Sequence, residues 1–138
     1  MSYLLDTNVV SELRRRSPDP AVLSWLESVA ADQLYLSVLT VGEISQGIAR
    51  LQRRDPSQAA QLQHWLSELR SFYHDRIVPI TAEVADRWGR LGAPDPVPVV
   101  DGLLAATAMV HGWTLVTRNV ADVRKIDVAV LNPFEPAG

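Results

Sequence analysis

Ser2-Tyr3-Leu4-Leu5-Asp6-Thr7-Asn8 is the stretch whose reading decides the fold. A short apolar run stops abruptly at an Asp-Thr-Asn turn. This pattern suits a buried parallel strand, and its C-terminal end then faces the sheet edge where α/β folds place their ligands. Asp6 has an ordinary explanation as the N-cap of a helix beginning near Val9, since Asp is favoured there. It becomes more than a cap only if other acids reach the same edge.

Working outward, residues 9–16 read as a short helix stopped by Ser17-Pro18-Asp19-Pro20, and residues 21–31 as an amphipathic helix carrying Val22, Leu23, Trp25, Leu26 and Val29. A second strand is expected at 34–37. A long helix over 38–53 follows, with Val41, Ile44, Ile48 and Leu51 inward. Asp55-Pro56 breaks the chain, Ser57 is placed to cap a helix reaching Phe72, and the two long helices form a hairpin. Residues 77–80 are a third strand candidate, Thr81 a cap, and 82–91 a helix. Residues 92–98, with three prolines, read as an irregular loop. The helix expected at 99–112 is apolar almost all round, so it should be buried, and it carries Asp101 in its first turn. A strand at 113–117, a turn at Arg118-Asn119, a helix at 121–126 and an edge strand at 128–131 complete the pattern. Strands alternating with helices imply an α/β fold with a mainly parallel sheet of four to five strands.

With 138 residues, 47% of them hydrophobic and 21% charged, one domain spanning residues 1–138 is expected. The absence of cysteine excludes disulfides, thiolate zinc sites and thiol nucleophiles. No secretory signal pattern is evident, and the longest apolar candidate, 97–109, is interrupted by Asp101 and falls short of the roughly 18 residues of a membrane span. A cytoplasmic protein with no membrane partner is expected. The net charge of −3 argues against binding nucleic acid through overall charge. Local patches remain: lysine occurs once, at Lys125, and arginine clusters at Arg14, Arg15 and Arg16 and at Arg50, Arg53 and Arg54. Arginine forks suit phosphates, and solvated helix faces explain such clusters equally well.

Taken singly, each acid has a capping role available: Asp6 as above, Glu43 closing a Thr40 to Glu43 capping box, Asp101 in a first turn, Asp122 three residues after an Asn119 cap. Capping does not explain why Asp6, Glu43 and the Asn119/Asp122 pair all follow apolar strands while Asp101 opens the helix that feeds the last of them. In a parallel sheet these positions converge on one edge. Carboxylates about 4 Å apart repel by roughly 4 kcal/mol per pair at an effective dielectric of 20, so convergence calls for a cation. All-oxygen donors without cysteine suit Mg²⁺ or Mn²⁺ rather than zinc, and His64, His74 and His111 show no ligand spacing. Such an ion activates water and neutralises a phosphodiester, and it lets an acidic protein accept a polyanion.

Four segments together carry a resemblance: Leu4-Leu5-Asp6-Thr7-Asn8-Val9-Val10-Ser11-Glu12, the Leu36-Ser37 to Gly42-Glu43-Ile44 stretch, Asp101-Gly-Leu-Leu-Ala-Ala-Thr-Ala108, and Leu115-Val-Thr-Arg-Asn119-Val-Ala-Asp122. In order and almost end to end, they resemble the motifs of PIN-domain endoribonucleases, most closely VapC-type toxins of the FitB-like group. The resemblance implies a three-layer α/β/α fold with a protruding helical hairpin. It also implies a Mg²⁺- or Mn²⁺-dependent ribonuclease that is the toxin of a type II toxin–antitoxin pair, homodimeric and inhibited by a small DNA-binding, VapB-like antitoxin. By position, Asp6 and Asp101 match the family's metal ligands and Glu43 its third acid. Asn119 stands where many relatives have Asp, leaving Asp122 as the fourth acid, and Val123 stands where an aromatic usually follows. Thr7, Asn8, Thr117 and Asn119 are the expected supporting residues, and Arg14, Arg15, Arg16 and Arg118 the candidate RNA contacts. The competing readings are a phosphotransfer domain of receiver or aspartyl-phosphatase type, and a non-catalytic interaction module whose acids are only caps. The hairpin over 38–72 is the expected dimer surface.

Overall fold

The computed structural model describes residues 1–91 and 97–136. The loop expected at 92–98 therefore lies, for residues 92–96, outside the described residues. Five strands form one sheet: β1 (Tyr3–Leu5), β2 (Leu34–Ser37), β3 (Ile77–Val78), β4 (Thr114–Val116) and β5 (Val130–Leu131). Their order is β3-β2-β1-β4-β5 and every pairing is parallel, so β1 is central and all strand C-termini share one edge. The register sets Leu4 between Tyr35 and Leu115.

Side-chain alternation along these strands builds two cores, one on each face. Leu5, Leu34, Leu36 and Val116 face α1 (Thr7–Glu12), α2 (Pro20–Glu27), α3 (Val38–Gln52) and α4 (Pro56–Phe72), through Val9, Val10, Val22, Ile48, Leu66 and Leu69. Leu4 and Leu115 face α6 (Val99–His111) and α7 (Val120–Val123), through Leu104, Ala105, Ala108 and Val123. The expected three layers are thus present. α5 (Ala82–Gly89) packs on α6, where a Cβ added at Gly102 would lie 3.1 Å from the Trp88 ring; the glycine lets the two helices close beside Asp101. α3 and α4 form the expected hairpin, with Ile48, Ala59, Leu66 and Leu69 buried in the core.

Several boundaries differ from expectation for local reasons. α1 ends at Glu12, not Arg16, because the buried Glu12 carboxylate accepts the Asp19 N–H (2.8 Å) and the Arg15 guanidinium (3.2 Å), turning the chain back toward α2. Asp55, not Ser57, caps α4: its side chain accepts the Gln58 N–H and Pro56 occupies the first helical position. α2 stops at Glu27, and a 3-10 turn at Ala31–Gln33 leads into β2. β3 ends before Pro79, which has no N–H to continue a ladder. The strands expected at 113–117 and 128–131 shorten to 114–116 and 130–131, and the last helix covers only Val120–Val123. α6 ends at Gly112 in the left-handed conformation (φ 71°), a cap that suits glycine. Among the described residues, no helix is long and apolar enough to cross a membrane.

Candidate active site

Three strands deliver polar residues to the carboxyl edge. Asp6, just after β1, is 6% exposed, and its carboxylate is fixed from two sides. Oδ1 accepts the Thr7 N–H at 2.6 Å, and Oδ2 accepts the Thr117 hydroxyl at 2.7 Å and the Asn8 amide at 3.3 Å. The cap reading of Asp6 is correct as local geometry, since its side chain bonds the first N–H of α1. The second oxygen is held from the end of β4, which a cap does not require.

Thr117 and Asn8 link the ends of β1 and β4. The Thr117 oxygen also accepts the Asn119 N–H (2.9 Å), while Asn8 Oδ1 accepts the Arg118 N–H (3.2 Å). Thr7 reaches toward α3: its hydroxyl donates to Glu43 Oε1 at 2.5 Å and lies 3.1 Å from Thr40 Oγ1. The capping box expected between Thr40 and Glu43 does not form. Ser37 is the N-cap, accepting the Leu39 N–H at 3.0 Å, so both residues lie inside α3 and Glu43 turns toward Thr7. Serine at the end of an apolar strand was the signal for this cap, and it outranks a threonine three residues further on.

Asp101 and Asp122 come from the opposite face. Asp101 sits half-buried in the first turn of α6, whose N-cap is Pro98 with no side-chain cap bond. Its pKa is pushed up to about 6, first by burial, then by the facing charges of Asp6, Asp122 and Glu43, and last by a side-chain hydrogen bond with Asp122. Burial likewise raises Asp6, against the opposing effects of its bonds to Thr117 and Thr7, and Glu43 raises it further. Asp122 is exposed in the first turn of α7; Asn119 precedes that helix without a side-chain cap bond. Asp101 therefore stands within electrostatic reach of Asp6, Asp122 and Glu43, and Asp6 within reach of Glu43.

Their arrangement is one of facing charges, not of a closed cage. Among the described residues no three acidic side chains are gathered closely enough to form a ready ligand set. The two observations are compatible, because charges act well beyond the 2.0–2.6 Å or so of a metal–oxygen bond. No arginine–carboxylate ion pair among the described residues involves the four acids. The donor chemistry is wholly oxygen, with the Thr7 and Thr117 hydroxyls bonded to the carboxylates of Glu43 and Asp6. Clustered negative charge of this kind fits a hard divalent cation.

The four candidate arginines fall in four different situations. Arg15 is paired with Glu12, and Arg16 is exposed in the turn after α1. Arg14 lines a groove of about 310 Å³ shared with Thr7, Glu43, Ile48, Arg54 and Leu62. Arg118 lies over the ring of Phe134. Sequence reasoning missed Glu12 as the residue that sets the α1–α2 turn and Phe134 as the partner of Arg118; neither has a local signature.

The sequence profile described as the PIN domain matches residues 3–128. The VapC ribonuclease Y4jK of Sinorhizobium fredii is 33% identical over 142 aligned positions, covering 97% of this chain and 99% of that protein. The toxin FitB of Neisseria gonorrhoeae is 32% identical, covering 95% and 97%. A chain of the structure of FitAB bound to an IR36 DNA fragment superposes with a TM-score of 0.90 at 32% identity, covering 99% of this chain and 98% of that one. With the parallel 3-2-1-4-5 sheet and the acids at its carboxyl edge, these similarities lead to one conclusion: the chain belongs to the PIN-domain family, in its VapC- and FitB-like branch.

Proposed function

We propose that this chain is a Mg²⁺- or Mn²⁺-dependent endoribonuclease and the toxin of a VapBC-type toxin–antitoxin pair. The observation that carries the reading is the convergence of Asp6, Glu43, Asp101 and Asp122 from four separate segments, with Asp101 raised to about 6 by burial and by the other three. In this reading Asp6 and Asp101 hold the ion, and Glu43 and Asp122 orient water or a second ion. A divalent cation at such a site supplies a nucleophilic water at neutral pH and offsets charge on the phosphodiester. The protein's own part is orientation. Thr117, Asn8 and the Thr7 N–H fix the Asp6 carboxylate, Thr7 fixes Glu43, and the Asp101–Asp122 hydrogen bond must give up its proton before both acids can act as ligands.

Support for the partner assignment comes from the relatives: one named a ribonuclease, one named a toxin, and one solved as FitAB on DNA. A homodimeric chain sequestered by a DNA-binding antitoxin follows by analogy. Arg14, at the rim of the groove beside Thr7 and Glu43, is the proposed contact for a flanking RNA phosphate. The test is cleavage of single-stranded RNA by purified protein in Mn²⁺. Parent protein is expected to cut, and Asp6→Asn and Asp101→Asn protein to lose on the order of 10³-fold in rate. Equal cleavage by either variant, with contaminating nucleases excluded, overturns the assignment. Growth arrest on expression, relieved by a co-encoded small partner, is the expected cellular counterpart.

A further inference from the structure

Arg118 immediately follows Thr117, the residue whose hydroxyl holds Asp6. Its backbone is tied into the site by the N–H bond to Asn8 Oδ1. Its side chain is exposed, yet the guanidinium carbon lies 3.8 Å from the centre of the Phe134 ring, a face-on cation–π distance. Phe134 is itself fixed. It packs against the core beneath α1 and α2, its N–H donates to Asn132 Oδ1 at 3.0 Å, and the neighbouring Pro133 is buried. The Thr117 N–H donates to the Leu131 carbonyl at 3.0 Å, joining the two segments just upstream.

Stacking holds the plane of a guanidinium while leaving its N–H edge free for an oxyanion. Among the described residues no carboxylate forms an ion pair with Arg118. A pre-oriented arginine thus stands one residue from the hydroxyl that anchors the central acid. We propose that Arg118 binds an RNA phosphate flanking the scissile one and that Phe134 is the residue positioning it. The Asn132-Pro133-Phe134 turn then belongs to the substrate-binding apparatus. The proposal rests on the ribonuclease reading for the identity of the polyanion.

The test measures binding of a fluorescein-labelled single-stranded RNA of mixed sequence, with Ca²⁺ replacing Mg²⁺ to hold the strand without rapid cleavage. Arg118→Gln is expected to weaken binding about tenfold and to reduce the slope of log affinity against log salt by about 0.7, one single-strand phosphate contact. Phe134→Leu, which keeps apolar bulk in the core, is expected to weaken binding roughly two- to fivefold, with Phe134→Tyr restoring it. Adding Phe134→Leu to Arg118→Gln should cost nothing further, an effect that mere loss of packing would not produce. An unchanged salt slope in Arg118→Gln overturns the proposal, as does an undiminished effect of Phe134→Leu in the Arg118→Gln background. Parent protein that binds RNA but does not cut it in Mg²⁺ or Mn²⁺ refutes the ribonuclease reading while leaving this one standing. Parent protein that cuts RNA with Arg118→Gln binding unaltered does the reverse, and parent protein that binds no RNA overturns both.

Discussion

The two edges of the sheet treat charge in opposite ways. At the amino edge, Arg76 before β3 is fully engaged: Nη1 donates to the Ala31 and Leu34 carbonyls (2.6 and 2.8 Å) and Nη2 to the Phe72 carbonyl (3.0 Å). Its guanidinium also lies 4.7 Å from the Tyr73 ring centre and 5.3 Å from that of Phe72. Toward the same edge Tyr35, Trp113 and His111 stack with ring centres 4.1 and 4.2 Å apart. At the carboxyl edge, Asp101 faces the charges of Asp6, Asp122 and Glu43, and Asp6 and Asp101 both have raised pKa values. A fully matched charge strengthens the fold, whereas mutually repelling acids weaken it until a cation arrives. The amino edge is matched from within the fold, and the carboxyl edge is the one that the proposed ion would match.

The sharpest way to break this contrast is a pair of substitutions. Asp6→Asn should abolish most cleavage, as above, yet cost the metal-free protein little stability, because it removes a buried charge while giving up only the bonds accepted by the one oxygen that becomes an amide NH2. Arg76→Ala should do the opposite. It strips three backbone carbonyls of their donor and should lower stability by about 3 kcal/mol, while cleavage per folded molecule stays unchanged. Chemical denaturation of the two variants, with activity normalised to the folded fraction, is the measurement. A strongly destabilised Asp6→Asn protein would mean that the carboxyl edge is structural after all.

That contrast was only half legible in the sequence. The apolar runs of β1, β2 and β4, the hairpin and the buried α6 all follow from periodicity, and parallel topology then forces the strand-end acids together. Arg76 offered no such signal. Its partners at Ala31, Leu34 and Phe72 are brought to it by β2–β3 pairing and by the end of α4, and nothing local marks a lone arginine before a two-residue strand. The same limit explains Phe134, whose role depends on Arg118 across the β4–β5 connection. The capping box was misread for a different reason. Thr40 and Glu43 have the right spacing, but Ser37 starts the helix one turn earlier, which frees Glu43 to meet Thr7. Local motifs report what a segment can do, and the competing cap decides what it does.

A divalent cation should separate the two edges again, by a smaller amount. If Mg²⁺ or Mn²⁺ binds the folded acid cluster and not the unfolded chain, free ion at a hundred times its dissociation constant should add about 2.7 kcal/mol of stability. Arg76→Ala protein should gain as much as the parent, since the perturbed edge is remote from the ion. Asp101→Asn protein should gain much less. Thermal melts over a Mn²⁺ titration distinguish these outcomes, and an equal gain in Asp101→Asn would place the ion elsewhere.

The smallest expected effect is the pH dependence of the metal-free protein, and its sign is opposite to that of an ordinary salt-bridged acid. Asp101 titrates near 6 in the fold against 3.8 unfolded, and Asp6 is shifted in the same direction. Between these values the folded chain holds more protons than the unfolded one, so stability should be fullest below about pH 4, fall as pH rises toward 6, and level off above it. Because Asp101 is only half-buried, solvent screening keeps the decline modest. Saturating Mg²⁺ should flatten it, since the cation takes over from the proton in offsetting the cluster, and Asp101→Asn should flatten it without metal. Stability that instead rises over this interval would show the amino-edge pattern, paired and matched charge, operating at the carboxyl edge as well.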